Sequence, residues 1–96
     1  MPQATLSTTA NQDAINGNPH RVGLTITNTD SANVAYLSPT AVYPVTISVT
    51  NAAISIGPGL SRTYTVAWQG RKTTQSAFAA ISAAGSPIIV WEEQFD

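Results

Sequence analysis

Arg21-Val22-Gly23-Leu24-Thr25-Ile26-Thr27-Asn28 decides the fold. Val22, Leu24 and Ile26 alternate with Gly23, Thr25 and Thr27, the period-two pattern of a strand with one face in a core and the other in water. Asn28 to Asn33 follows, rich in residues whose side chains close their own backbone turns. Val34-Ala35-Tyr36-Leu37 then resumes an apolar run, so the spacing predicts a β-hairpin.

Outward from this pair the same alternation returns. Val45, Ile47 and Val49 share a face of a third predicted strand over 45–50. Ala53-Ile54-Ser55-Ile56 runs into Gly57-Pro58-Gly59, a turn cluster that continues neither a helix nor a central strand. Ser61 to Trp68 alternates with Tyr64, Val66 and Trp68 on one face, which assigns Tyr64, Trp68 and the later Phe78 to the core. Gln69-Gly70-Arg71-Lys72 reads as a turn. Ala77 to Ala84 has the alanines of a helix, but its shortness and the following Gly85-Ser86-Pro87 favour a buried strand. Ile88 to Trp91 is β-branched and ends in an aromatic. Residues 1–17 read as an N-terminal arm or an edge strand, with Thr5 to Ala10 as the edge strand or as an arm reaching onto another subunit.

Short strands punctuated by turns every eight to twelve residues or so predict an all-β fold, a single small β-sandwich or jelly-roll-like barrel of about seven or eight short antiparallel strands. The 96 residues match one domain, 1–96. Charged residues are only 9% of the chain, against roughly 25% in typical soluble domains. The formal net charge is −1, so there is no electrostatic footprint for nucleic acid and little attraction to an anionic membrane. No stretch approaches the roughly 20 apolar residues of a membrane span, and the first twenty residues lack the basic and apolar regions of a secretory signal. With no cysteine, the fold needs neither disulfides nor thiolate ligands and can form in a reducing cytosol.

Groups for catalysis are scarce. His20 is the only histidine, which removes a two-histidine metal site and leaves a Ser-His-Asp arrangement resting on one turn residue. Glu92 and Glu93 are adjacent, so on a strand they point to opposite faces and form no acid–base pair. The aspartates sit in turn contexts without the pattern of a calcium loop, and Gly57-Pro58-Gly59 lacks the Lys-Ser/Thr of a phosphate-binding loop. The sequence therefore predicts a contact-making protein, not an enzyme, with no cofactor. Candidate partner contacts are Tyr36 and Tyr43, bracketing Ser38-Pro39; the Arg71-Lys72 pair, which would meet a carboxylate; and Trp91 and Phe95, flanking acidic residues.

The string from Asn18-Pro19-His20-Arg21 through Leu24-Thr25-Ile26-Thr27-Asn28, then Asn33-Val34-Ala35-Tyr36-Leu37, resembles the small β-domains of tailed-bacteriophage virion proteins. Ile54-Ser55-Ile56-Gly57-Pro58-Gly59 looks like their apolar strand and turn. Phe78-Ala79-Ala80-Ile81-Ser82-Ala83-Ala84-Gly85 through Val90-Trp91-Glu92 looks like their closing pair of strands. The resemblance covers residues 18–92, and the order of its motifs is more specific than any one of them. It implies a capsid decoration or head-fibre type of virion protein, folded in the host bacterial cytoplasm and bound to the major capsid protein lattice at the capsid surface, with a homotrimer at a symmetry axis as one arrangement. The alternative is a tail or fibre receptor-binding module that recognises a host-surface glycan through Tyr36, Tyr43 and Trp91.

Overall fold

The computed structural model describes residues 2–95. Along these the chain forms β1 (Gln3–Thr5), β2 (Asn11–Ile15), β3 (Arg21–Asn28), β4 (Ala35–Pro39), β5 (Ile54–Ile56), β6 (Ser61–Thr65), the helix α1 (Val66–Thr74), β7 (Phe78–Ser82) and β8 (Ile88–Phe95). The strands make two four-stranded antiparallel sheets in the orders β1-β8-β3-β6 and β2-β7-β4-β5. Leu24, Ile26, Tyr64, Ile89 and Trp91 from the first sheet meet Ile15, Leu37, Ile56, Phe78 and Ala80 from the second. This is a β-sandwich whose core is the two inner faces.

β3 forms as its alternation predicts and lies between β8 and β6, but it is not half of a hairpin. β3 and β4 lie in different sheets, and residues 29–34 carry the chain from one to the other. Asn28 makes that crossing possible. Its side chain is fully buried, donates to the carbonyls of Asn33 and Ile56 and accepts from the Asp30 amide. Asp30 then accepts from the amides of Ala32 and Asn33. The Asn33 amide first, and the Ala32 amide next, hold the Asp30 carboxyl below the usual range.

A lowered folded pKa stabilises the protein above the unfolded value of 3.8, and that stabilisation is lost as pH falls through the folded value. In Asp30→Asn the acid-side loss of stability should therefore be shallower than in the wild type, as read by thermal melts from about pH 5 to about pH 2. Identical slopes would refute this role.

The chain returns between sheets at Gly57–Leu60. The Leu60 amide donates to the Gly57 carbonyl at 3.1 Å, and Gly59 has φ of 74°, so Pro58 and Gly59 occupy the two central positions as a type II turn requires. Within residues 2–17 the strands are Gln3–Thr5 and Asn11–Ile15, which border the two sheets, while Thr5 to Ala10 is mostly the connection between them, with Leu6 buried. Within the Ala77–Ala84 segment Phe78–Ser82 is the strand β7, buried on both faces.

The predicted strand over 45–50 does not form. Only Ile47 of its apolar residues is buried, while Val45 and Val49 face solvent. The segment between β4 and β5 instead folds across the outer face of the second sheet. There Ile47 packs with Ala79 and Ile81, and with the partly buried Ala10, Tyr36 and Ala52. Gln12 of β2 fixes it by pairing like a piece of strand: its side-chain amide donates to the Val45 carbonyl at 3.2 Å and accepts from the Ile47 amide at 2.9 Å. Gln12→Ala is expected to cost about 1–2 kcal/mol for the two bonds and to speed hydrogen exchange at the Ile47 amide. Unchanged exchange would show that the packing of Ile47 suffices.

Candidate interaction surface

The candidate contact residues do not converge. Trp91 lies opposite Ile26 on the inner face of the first sheet, 9% exposed, and belongs to the core. Tyr36 is half-buried under the segment that carries Ile47. These two positions correct the expectation of an aromatic contact patch shared by Tyr36, Tyr43 and Trp91. Tyr43 and Phe95 are exposed. Arg71 and Lys72 are exposed in the second half of α1, beside a shallow depression of about 420 Å³ that Gly17, Asn18 and Ala41 also line.

α1 itself overturns two expectations. The alternation of Ser61 to Trp68 stops at Thr65, where the strand becomes a helix. The Thr65 side chain accepts from the Trp68 amide, and the Gln69 side chain accepts from the Thr65 amide. These reciprocal bonds are a capping box displaced by one residue. Gly70 kinks the helix, with φ of 85° and ψ of 167°, so Gln69 to Lys72 is an interrupted helix and not a simple turn. Because Trp68 sits on the first helical turn, it turns away from the core and is 87% exposed. The Thr65 and Gln69 pair was the available signal for this, one residue off the usual spacing.

One side of the sandwich is left open. β6 and β5 are the outer strands of their sheets, joined at one end by the 57–60 turn and flanked at the other by α1. Between them runs a groove of about 260 Å³ lined by Pro39, Tyr43 and Ile54 on one wall and Arg62, Tyr64 and Gln69 on the other. Tyr64 forms the floor, tilted against Phe78 with ring centroids 5.1 Å apart. Burial pushes its phenol above the usual range, with the nearby Arg62 guanidinium pulling the other way. The outward face of the neighbouring strands carries paired hydroxyls, Thr25 with Thr63 at 3.2 Å and Thr27 with Ser61 at 2.7 Å.

Arg21 is the polar residue that sequence reasoning missed. A bulge between Arg21 and Gly23 shifts the register of β3 against β8, and a bulge re-aims the side chains on either side of it. Arg21 is 0% exposed. Its five N–H groups reach the Glu93 carboxylate twice and the carbonyls of Asn16, Thr74 and Ser76. Thus β2, β3, the end of α1 and β8 are tied through one guanidinium. The Thr74 hydroxyl is buried and has no hydrogen-bond partner among the described residues.

Among the described residues no group of three His, Cys, Asp or Glu side chains comes together as a metal site, and no helix is long and apolar enough to cross a membrane. What the surface offers chemically is open strand edge, exposed apolar side chains and isolated cations. Comparison with protein families, curated proteins and solved structures gives no match.

Proposed function

We propose that this protein is a structural component of a bacteriophage particle, a capsid decoration or cement protein that binds the outer surface of the head through the major capsid protein lattice. The order of the motifs over residues 18–92 supports the phage reading. The observation that carries the binding reading is the display of large apolar side chains on a nearly uncharged surface, with Trp68 87% and Leu60 61% exposed. A monomer gains nothing from leaving a tryptophan in water, and tryptophan is enriched where interface energy concentrates.

A sandwich of this size offers one modest contact area. On a lattice, many copies compensate, because each neighbour raises the effective concentration of the next contact. A homotrimer at a symmetry axis is one way to achieve this, and the mass of the protein in solution reads it directly. A cysteine-free chain can fold in the bacterial cytoplasm before it meets an assembled head.

The test is co-sedimentation of purified protein with expanded capsids. Saturable binding at a fixed number of copies per capsomer is expected. Failure to bind heads, together with hits on an array of host-surface glycans, would replace this function with the receptor-binding one. That alternative has lost two of its three aromatic residues to the interior, Trp91 fully and Tyr36 partly.

A further inference from the structure

We propose that β6 is a docking edge, which takes up an extended, acid-bearing segment of a partner protein as an added strand over the open side of the sandwich. Who supplies the segment follows from the head-binding reading, but the edge itself is argued from the geometry.

β6 pairs only with β3, so alternate backbone N–H and C=O groups along its other side have no strand beside them. Unpaired edges of this kind template another strand. The two most exposed large apolar side chains of the described residues bracket this strand, Leu60 at one end and Trp68 beyond the other. Within the groove Arg62 is the only charged side chain. The one ion pair among the described residues joins Arg21 to Glu93, which leaves Arg62 without a carboxylate. Arg62 lies opposite Ile26 and Tyr64 opposite Leu24, so both point toward the groove, while Ser61, Thr63 and Thr65 point to the outer face.

These positions specify the occupant. It is an extended segment of about five residues, the length of β6, with an Asp or Glu set to meet Arg62. Apolar side chains on the same face would lie against Tyr43, Ile54 and Tyr64. A second copy of this chain fits less well. Antiparallel pairing of two β6 strands about Thr63 puts both Arg62 side chains on one face, roughly 7–8 Å apart, with no carboxylate between them.

The probe is a capped peptide of about seven residues, alternating threonine and valine with one central glutamate, titrated into isotope-labelled full-length protein and followed by NMR. Shifts confined to residues 60–68 and the groove are expected. Arg62→Glu should weaken binding roughly tenfold or more and should instead favour the same peptide with lysine in place of glutamate. Arg62 is exposed and makes no ion pair among the described residues, so the variant keeps the fold, and its rescue by the lysine peptide confirms that the fold is intact. Shifts elsewhere, no effect of Arg62→Glu, or β6-mediated self-association would each overturn the proposal.

Expanded capsids separate the two readings. If wild type binds heads and Arg62→Glu does not, both stand. If both bind heads equally, β6 is not the docking edge although the head-binding function survives. If neither binds heads while the glutamate peptide still docks on β6, the edge stands and the head-binding function falls.

Discussion

Replacing Arg21 with alanine is expected to destabilise the protein by about 3–5 kcal/mol, since three carbonyls lose a charged donor and each buried acceptor left unpaired costs about 1–3 kcal/mol. The magnitude follows from what is left behind. The guanidinium serves the carbonyls of Asn16, Thr74 and Ser76 as well as Glu93, and all of its donors are used, which matches its full capacity. Deleting it orphans at once one carbonyl just after β2 and two at and just after the end of α1. Glu93 is part exposed and can rehydrate, so the carbonyls carry most of the loss.

That distinction gives an internal control. Glu93→Gln retains an acceptor oxygen opposite Arg21 and should cost no more than about 1–3 kcal/mol. Arg21→Lys should fall between the two, since an ammonium on a flexible stem cannot span the acceptors of a planar fork. Urea unfolding, with unchanged slope and shifted midpoint, is the measurement. A loss below about 1 kcal/mol for Arg21→Ala would mean that water replaces the guanidinium, and that the four elements do not depend on it. Against a total stability of roughly 5–15 kcal/mol for a domain of this kind, the expected loss leaves the native state marginal.

The history of this residue explains what was legible in the sequence. Alternation over 21–28 correctly marks a strand and its apolar face at Leu24 and Ile26, because those positions obey the pleat. It cannot mark a bulge, which adds one residue and moves Arg21 inward without any change in composition. The two-sheet class was legible from turn spacing, and the Gly57–Gly59 turn was legible from its chemistry, Pro before a positive-φ glycine. The hairpin was not. Asn28 to Asn33 has turn chemistry in either topology, and whether the next strand pairs alongside or crosses to the other sheet is settled by core packing far away in sequence. Val45 to Val49 fails for a related reason. Its alternation is genuine, but the segment lies across the outer face of the second sheet and not along a strand edge, so a single residue, Ile47, is buried while its neighbours stay in water. The candidate surface was the least legible part. Trp91 and Trp68 exchange their expected roles because one lies on a central strand, where its neighbours pull it inward, and the other on the first turn of a helix that period-two reading did not anticipate.

This exchange yields the second large effect. Phe78→Ala should cost about 3–5 kcal/mol, through lost burial and the cavity left behind, whereas Trp68→Ser should change stability by no more than about 0.5 kcal/mol. Phe78 is fully buried between the sheets, and Tyr64 rests against it. The backbone around it is held by β2 on one side and β4 on the other, so the site cannot collapse to fill the void. Trp68 has almost no area to lose. Denaturation of the two variants side by side measures the contrast. A large loss for Trp68→Ser would place that indole against the body of the protein, and would remove the exposed side chain on which the binding reading depends. A small loss with weakened attachment to heads is the result expected of a tryptophan kept in solvent for a partner. It would also separate folding from docking within the stretch from Leu60 to Trp68, with Tyr64 serving the core and Leu60, Arg62 and Trp68 serving the contact.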